Sequence, residues 1–295
     1  MSITHLADAL YAEPPEDLLY HYTSLEALTK IVESGCLYAT DVQFFSDASE
    51  RKHTADILRG QIARQKGVRS SNSTMLSQLL VWVSERLTRG HMQFVASFST
   101  DGNLLSQWRS YCPQGKGVSI GFRPEVIIQA ARAQEFHIGK CIYDGGRQQE
   151  LAKSILSKIE EAAERLAENT DTSKRHPSQS FHDVFEEVEG DLLRIAALIK
   201  HESFNEEKEW RVVSSIITDY VQAPIKYREG RSMLIPFIEF SLRANAADPL
   251  PFEHVILGPT PNPDSSQTSL SRFLSKYGAN PKNGVLYCQI PYREH

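Results

Sequence analysis

Apolar positions along the chain change their period several times, and each change marks an element. Leu18-Leu19-Tyr20-His21-Tyr22 reads as a short strand, and Thr23 with Glu26 three residues later forms a capping box that starts a helix. Leu25, Leu28, Ile31 and Val32 mark the apolar face of that helix, and Gly35 supplies the left-handed residue that ends it. Cys36 to Ala39 reads as a second strand. Phe44 to Glu50 mixes aromatics with turn formers, the composition of a working loop, before a polar helix begins near Glu50. After a polar linker at Ser70 to Ser73, the residues Met75, Leu76, Leu79, Leu80, Val83 and Leu87 recur at helical spacing as a core stripe. Phe94 to Ser99 is a strand, and Val118, Ile120 and Phe122 alternate with Ser119 and Gly121 in another.

From Gln148 to His201 the pattern turns charged and helical, broken at Thr170 to Ser180 around Pro177, which predicts a helical insertion over residues 148–203. Strands follow at 210–217, 234–242, 255–257 and 285–290, with a helix over 266–277 before the last. Residues 1–17 read as an N-terminal extension. Strands and helices interleave without a regular β-α-β rhythm, so the expected fold is a single α+β domain over 1–295, with a mixed, mainly antiparallel sheet.

Composition narrows the classes. The 295 residues are 41% apolar and 23% charged, an ordinary globular balance. A net charge of -5 gives no overall basic field for nucleic acid. Cys36, Cys112, Cys141 and Cys288 stand far apart with no C-x-x-C pair, so free thiols are expected rather than a zinc or redox motif. The first residues show no export signal, and no run of ~18 apolar residues offers a membrane span; a soluble, cytoplasmic protein is the expectation. Phosphate-loop, dinucleotide, zinc-protease and G-x-S-x-G motifs are missing, and the ten histidines lack metal-ligand spacing, so no metal is expected.

What chemistry remains lies in three places. Glu206-Glu207-Lys208-Glu209-Trp210-Arg211 sets three carboxylates within four residues, where a shared site raises at least one pKa. Strand alternation puts Glu209, Arg211 and Val213 on one face and Trp210 and Val212 on the other. A surface Glu209–Arg211 ion pair with Trp210 packed inward explains the same residues. His21 and Tyr22 are successive strand residues and point to opposite faces. Trp108 and Tyr111, three apart, form one aromatic side of a helical turn, as a wall for a planar ring or as core.

Leu19-Tyr20-His21-Tyr22-Thr23-Ser24, Phe94 to Ser99, Trp108-x-x-Tyr111 with Gly117 to Phe122, Glu207 to Arg211 and Val255-Ile256-Leu257-Gly258-Pro259 together resemble, in this order and over 18–293, a bacterial domain-of-unknown-function family, number 2971. A second comparison is similar to the ADP-ribosyltransferase-like fold, which implies a split sheet holding NAD. On that resemblance His21 binds the adenine-side ribose with Tyr22 beside it, and Ser97 or Ser99 meets the nicotinamide side. Trp108 or Tyr111 stacks on the ring, Arg211 touches the pyrophosphate and Glu209 is catalytic. It implies an NAD-consuming enzyme, an ADP-ribosyltransferase or NAD glycohydrolase, of toxin or phage-defence type. NAD is then the substrate, with protein, nucleic acid or water as acceptor, and a regulatory partner protein is a further expectation. The resemblance places no counterpart to the Asp47 to Glu50 loop.

Two other readings stay open. Arg51, Lys52, Arg59, Arg64, Lys66 and Arg69 make a local basic excess that suits a nuclease or nucleic-acid binder, or simply a solvated helix face. A non-catalytic module that senses a nucleotide is the third.

Overall fold

The computed structural model describes residues 2–45, 49–68, 73–112, 116–169, 181–288 and 290. Its sheet has ten strands: β1 (Leu19–Ser24), β2 (Cys36–Asp41), β3 (Phe94–Ser99), β4 (Gly117–Phe122), β5 (Phe136–Lys140), β6 (Glu209–Ser214), β7 (Lys226–Glu229), β8 (Leu234–Ser241), β9 (His254–Leu257) and β10 (Val285–Tyr287). The helices are α1 (Ile3–Leu10), α2 (Leu25–Ser34), α3 (Ser49–Val68), α4 (Ser73–Arg89), α5 (Leu105–Tyr111), α6 (Pro124–Ala133), α7 (Gly145–Asn169), α8 (His182–Ala196) and α9 (Pro263–Lys276). Every strand pair is antiparallel except β9 with β10, so the fold is the expected α+β class with a mainly antiparallel sheet.

The strand path is β10-β9-β4-β1-β3-β2-β8-β7, with β6 on β3 and β5 on β6. One edge of β3 pairs with β6 over Val95–Ser99. Its other edge is shared: β2 takes Phe94 and Val95, and β1 takes Ser99. The sheet therefore forks at β3, and Ser97 sits in the fork, between the two strands.

Side-chain alternation gives this sheet two different faces. Leu19, Phe98, Ile120, Trp210, Val212 and Val255 belong to the main core, which α2, α6 and α9 close with Leu28, Ile31, Ile127, Ala131, Leu270 and Leu274. The opposite face meets two smaller assemblies. One is a helical layer built from α1, α3, α4, α7 and α8 around its own apolar cluster. The other is α5, whose Trp108 packs with Tyr22, Cys112, Ile256 and Cys288.

Several local expectations need correcting. The N-cap of α2 is Ser24, whose hydroxyl accepts from the Ala27 N–H, whereas Thr23 is still a paired, buried residue of β1. The register of β1 with β4 runs one residue further than the capping-box pattern suggests, and Glu26 pairs with Lys30 instead. Gly35 does end the helix, at φ 73. Residues 1–17, the N-terminal extension, pack onto the protein: α1 buries Ile3 and Ala7 in the helical layer, and the Tyr11 hydroxyl donates to the Arg194 carbonyl at 2.7 Å. The insertion forms α7 and α8, which serve as a packed layer over the sheet. β5, β7 and α6 are not among the elements expected from the sequence; the two strands are too short to give much periodic signal, whereas α6 carries Pro124 at its start and Ile127 and Ala131 on one face. The tip of that insertion, Thr170 to Ser180, lies outside the described residues, as do Ser70 to Asn72 of the linker and Ser46 to Ala48 of the Phe44–Glu50 loop.

Candidate functional site

β3 and β6 carry the polar row. The register sets Ser99 opposite Glu209 and Ser97 opposite Arg211, and Tyr20 of β1 opposite Ser99. Directly paired residues share a face, so Tyr20, Tyr22, Ser97, Ser99, Glu209 and Arg211 all stand on the face away from the main core.

Immediately before β6, Lys208 takes a left-handed conformation, φ 45, uncommon for a residue with a side chain. A six-residue 3-10 segment, Glu202–Glu207, ends there. The reversal brings Glu207 and Glu209 to one cation: Lys200 Nζ donates to both, at 2.6 Å to Glu209 Oε2. Arg211 Nε donates to Glu209 Oε1 at 2.8 Å, its Nη2 to Oε2 at 3.1 Å, and its Nη1 to the Ala197 carbonyl at 2.8 Å. The Phe45 ring lies 5.4 Å from the guanidinium, and the Phe204 ring 5.0 Å from the ammonium. The Glu209 N–H donates to the Tyr143 hydroxyl at 2.9 Å. Glu209, Arg211 and Lys200 are all buried.

Burial alone would push the Glu209 carboxyl up. The charges of Arg211 and Lys200 and their hydrogen bonds outweigh it and hold the pKa down to about 2. Glu207 goes the other way: burial raises it, with Glu209 adding repulsion, despite its bond to Lys200. The two carboxylates thus separate, one ionised down to about pH 2 and one easier to protonate. This is a quartet of two acids and two bases, with Lys200, Glu209 and Arg211 buried and Glu207 at its rim, not the surface ion pair allowed by the sequence.

The other predicted residues distribute unevenly around it. Tyr22 shares the face, but its hydroxyl is committed, donating to the Asp101 carbonyl at 2.7 Å and accepting from the Leu104 N–H at 2.8 Å. Ser99 is committed as well: its hydroxyl donates to the Glu207 carbonyl and accepts from the Asp101 N–H. Both staple the 100–104 loop to the sheet. Ser97 differs, since its hydroxyl faces the same way as Arg211 and takes no hydrogen-bond partner among the described residues.

Trp108 is 1% exposed; it packs edge-on to Tyr22 at 4.8 Å, and its indole N–H donates to Asn103. A Cβ at Gly258 would stand 3.0 Å from that ring, which explains why the Val255–Pro259 strand end carries glycine there. Tyr111 remains 44% exposed. Trp108 and Tyr111 therefore do not form one wall: Trp108 is core, and Tyr111 alone is open to a ligand. Burial around the Tyr111 hydroxyl, followed by the charge of Glu209, pushes its phenol up to about 12, which places it in the field of the quartet.

His21 is on the other side of the sheet. It pairs with Ile120, which pairs with Val255, both in the main core, and its ring lies 5.8 Å from Phe98. Its Nδ1 bonds the Ser97 carbonyl at 3.0 Å. A carbonyl only accepts, so Nδ1 carries the proton. The fork explains the contact, because the Ser97 carbonyl has neither β1 nor β2 beside it and the imidazole satisfies it. Burial lowers the His21 pKa against that bond, keeping the ring neutral. The structure thus brings together Tyr22, Ser97, Ser99, Tyr111, Glu209 and Arg211, and leaves His21 behind the sheet.

Lys200 and Tyr143 complete the quartet's surroundings and escape any sequence motif. Lys200 closes the predicted insertion, and its backbone N–H and carbonyl are tied to Ile142 and Gln148; nothing local signals that it reaches Glu209. Of the basic excess, Arg51, Lys52, Arg59, Arg64 and Lys66 fall on α3. Arg59 pairs with Asp56 and donates to Ser84, and Arg64 reaches Gln61 at 3.5 Å. Arg69 lies outside the described residues. Among the described residues no three His, Cys, Asp or Glu side chains group to hold a metal, and no helix is long and apolar enough to cross a membrane.

A family model described as a protein of unknown function, DUF2971, matches residues 107–212, from α5 through most of β6. The match supports the family resemblance carried by the motifs. Neither the curated proteins nor the solved structures give a match.

Proposed function

We propose that this chain consumes NAD, breaking the nicotinamide–ribose bond as an ADP-ribosyltransferase or NAD glycohydrolase. The observation that carries the reading is Glu209, a buried carboxylate held ionised beside the fork, on the same face as the uncommitted Ser97 hydroxyl and near the half-exposed Tyr111. In this chemistry the C1′–N1 bond of the ribose breaks, its electron pair leaves with nicotinamide, and positive charge develops on the sugar. A carboxylate that stays charged stabilises that state electrostatically. A pKa near 2 unsuits Glu209 for proton transfer at neutral pH, so its role is charge alone, and an acceptor or water supplies the new bond at C1′ and loses its proton. Tyr111 stacks on the planar ring and Ser97 meets the nicotinamide amide. Arg211 holds Glu209 in place, and His21 has no part on this face. NAD depletion or transfer of this kind suits a toxin or phage-defence effector.

One observation favours a second reading. Both Glu209 oxygens already receive donors from Arg211 and Lys200, an arrangement that also suits a module that binds a nucleotide without turning it over. Incubating the purified chain with NAD, alone and with cell extract, separates the two. Nicotinamide release that Glu209→Gln abolishes supports the enzyme. Thermal stabilisation by NAD without release supports the sensor, and neither release nor stabilisation overturns both.

A further inference from the structure

The far end of the sheet carries an unsatisfied edge. β7 is the last strand on its side, all four of its residues are exposed, and among the described residues nothing pairs beyond it. Tyr227 lies opposite Pro236 of β8. Proline has no N–H to give, so this is a non-hydrogen-bonded pair, and the Tyr227 N–H and carbonyl point outward to the open edge. Apolar side chains on β7, in the segment leading to it and in the turn to β8 are exposed: Tyr220, Val221, Tyr227, Met233 and Leu234 by 66%, 72%, 57%, 56% and 65%. Such a concentration marks an interaction surface.

The register says what fits. Tyr227 and Glu229 share a face with Pro236 and Leu234, while Lys226 and Arg228 share the other with Phe237 and Ile235. Lys226 reaches Glu239, and Arg228 has no ion-pair partner among the described residues. A second copy does not fit. In a continuous antiparallel sheet, residues directly opposite lie on one face, so self-pairing joins only positions of equal parity. Centred on Tyr227, this sets Lys226 against Arg228 twice; centred on Lys226, Arg228 or Glu229, it sets each against itself. Every register centred within β7 therefore opposes like charges.

We propose that β7 is the docking edge for an extended, acidic segment of a partner protein, which adds as the next strand. The residue exchanging both backbone bonds with Tyr227 is apolar and packs on Tyr227 and Leu234. Its two neighbours, opposite Lys226 and Arg228 on the other face, are acidic. The recognised pattern is acidic–apolar–acidic, with affinity from the main chain and selectivity from charge.

The test uses the full chain and two labelled dodecapeptides, alternating glutamate with valine and lysine with valine. The expected result is salt-sensitive binding of the glutamate peptide only. Paired Lys226→Glu and Arg228→Glu substitutions should weaken it roughly tenfold or more and admit the lysine peptide. Tyr227→Pro removes an outward N–H and the ring the apolar residue packs on without touching the β7–β8 ladder, so it should weaken binding by more than the roughly fivefold of one net hydrogen bond, while the melting temperature stays within a few degrees. Equal binding of both peptides, no binding of either, unchanged binding by the charge-reversed chain, or dimerisation of the chain through this edge overturns the proposal.

Discussion

Two groups of charged residues occupy opposite regions of one sheet, and they differ in almost everything except composition. At β6, Lys200, Glu207, Glu209 and Arg211 lie under the helical layer, with Lys200, Glu209 and Arg211 buried and joined through two carboxylates. At β7, Lys226, Arg228, Glu229 and Glu239 lie in solvent or near it, with one ion pair among them whose side chains are 56% and 33% exposed. Burial decides what each charge is worth. In the interior a charge left without its partner is costly, whereas in water it is simply hydrated. The first group therefore rigidifies the site, and the second remains available to a partner.

The contrast is most sharply broken by Arg211→Met, which leaves Glu209 buried with Lys200 alone. A loss of about 3–5 kcal/mol in urea unfolding is expected, and a loss below about 1 kcal/mol would show that the quartet contributes little. Next comes acid. The Glu209 pKa falls from an ordinary 4.5 to about 2 on folding, so its stabilisation is complete above pH 4.5 and disappears as pH falls through 2. The shift corresponds to on the order of 3 kcal/mol. Glu207, raised on folding, opposes this: its cost is present above its folded pKa and disappears below the unfolded one. Stability measured from pH 6 to 2 should therefore fall steeply only at the acidic end, and Glu209→Gln should flatten that fall.

Smaller effects separate the committed from the uncommitted hydroxyls. Tyr22→Phe strands the Leu104 N–H and the Asp101 carbonyl and should cost about 2 kcal/mol. Ser99→Ala should cost about 1 kcal/mol and Ser97→Ala almost nothing in stability, while only Ser97→Ala weakens NAD binding with the fold intact; calorimetry with NAD distinguishes them. Smallest is Lys226→Ala, expected to change stability by less than about 0.5 kcal/mol, in contrast to the several kcal/mol expected at Arg211.

Much of the fold is legible in the pattern of residues. The α4 stripe, the strand at Phe94–Ser99 and the alternation of β4 follow from local periodicity, which needs no neighbours to be read. Alternation within β6 places Glu209 with Arg211 and Trp210 with the core, as the structure has them. α1 carries Ile3, Leu6, Ala7 and Leu10 at helical spacing behind the Ser2 cap, but only its packing in the helical layer shows that this helix belongs to the folded body. The Ser24 cap is missed for a related reason: where β1 ends depends on its pairing with β4, which is separated from it by nearly a hundred residues.

By itself, then, the sequence determined the class of fold, the alternation of β1, β4 and β6 and the presence of a charged Glu209–Arg211 pair, since these depend on residue types a few positions apart. Only the tertiary structure decided which strand borders which. That choice forks the sheet at β3, turns His21 from a ligand candidate into the cap of the Ser97 carbonyl, buries Trp108 behind Gly258, and brings Lys200 to Glu209. Each of these is a contact between residues that the chain keeps apart, and the two cations brought to Glu209 fix the charge state of the carboxylate at their centre against its burial.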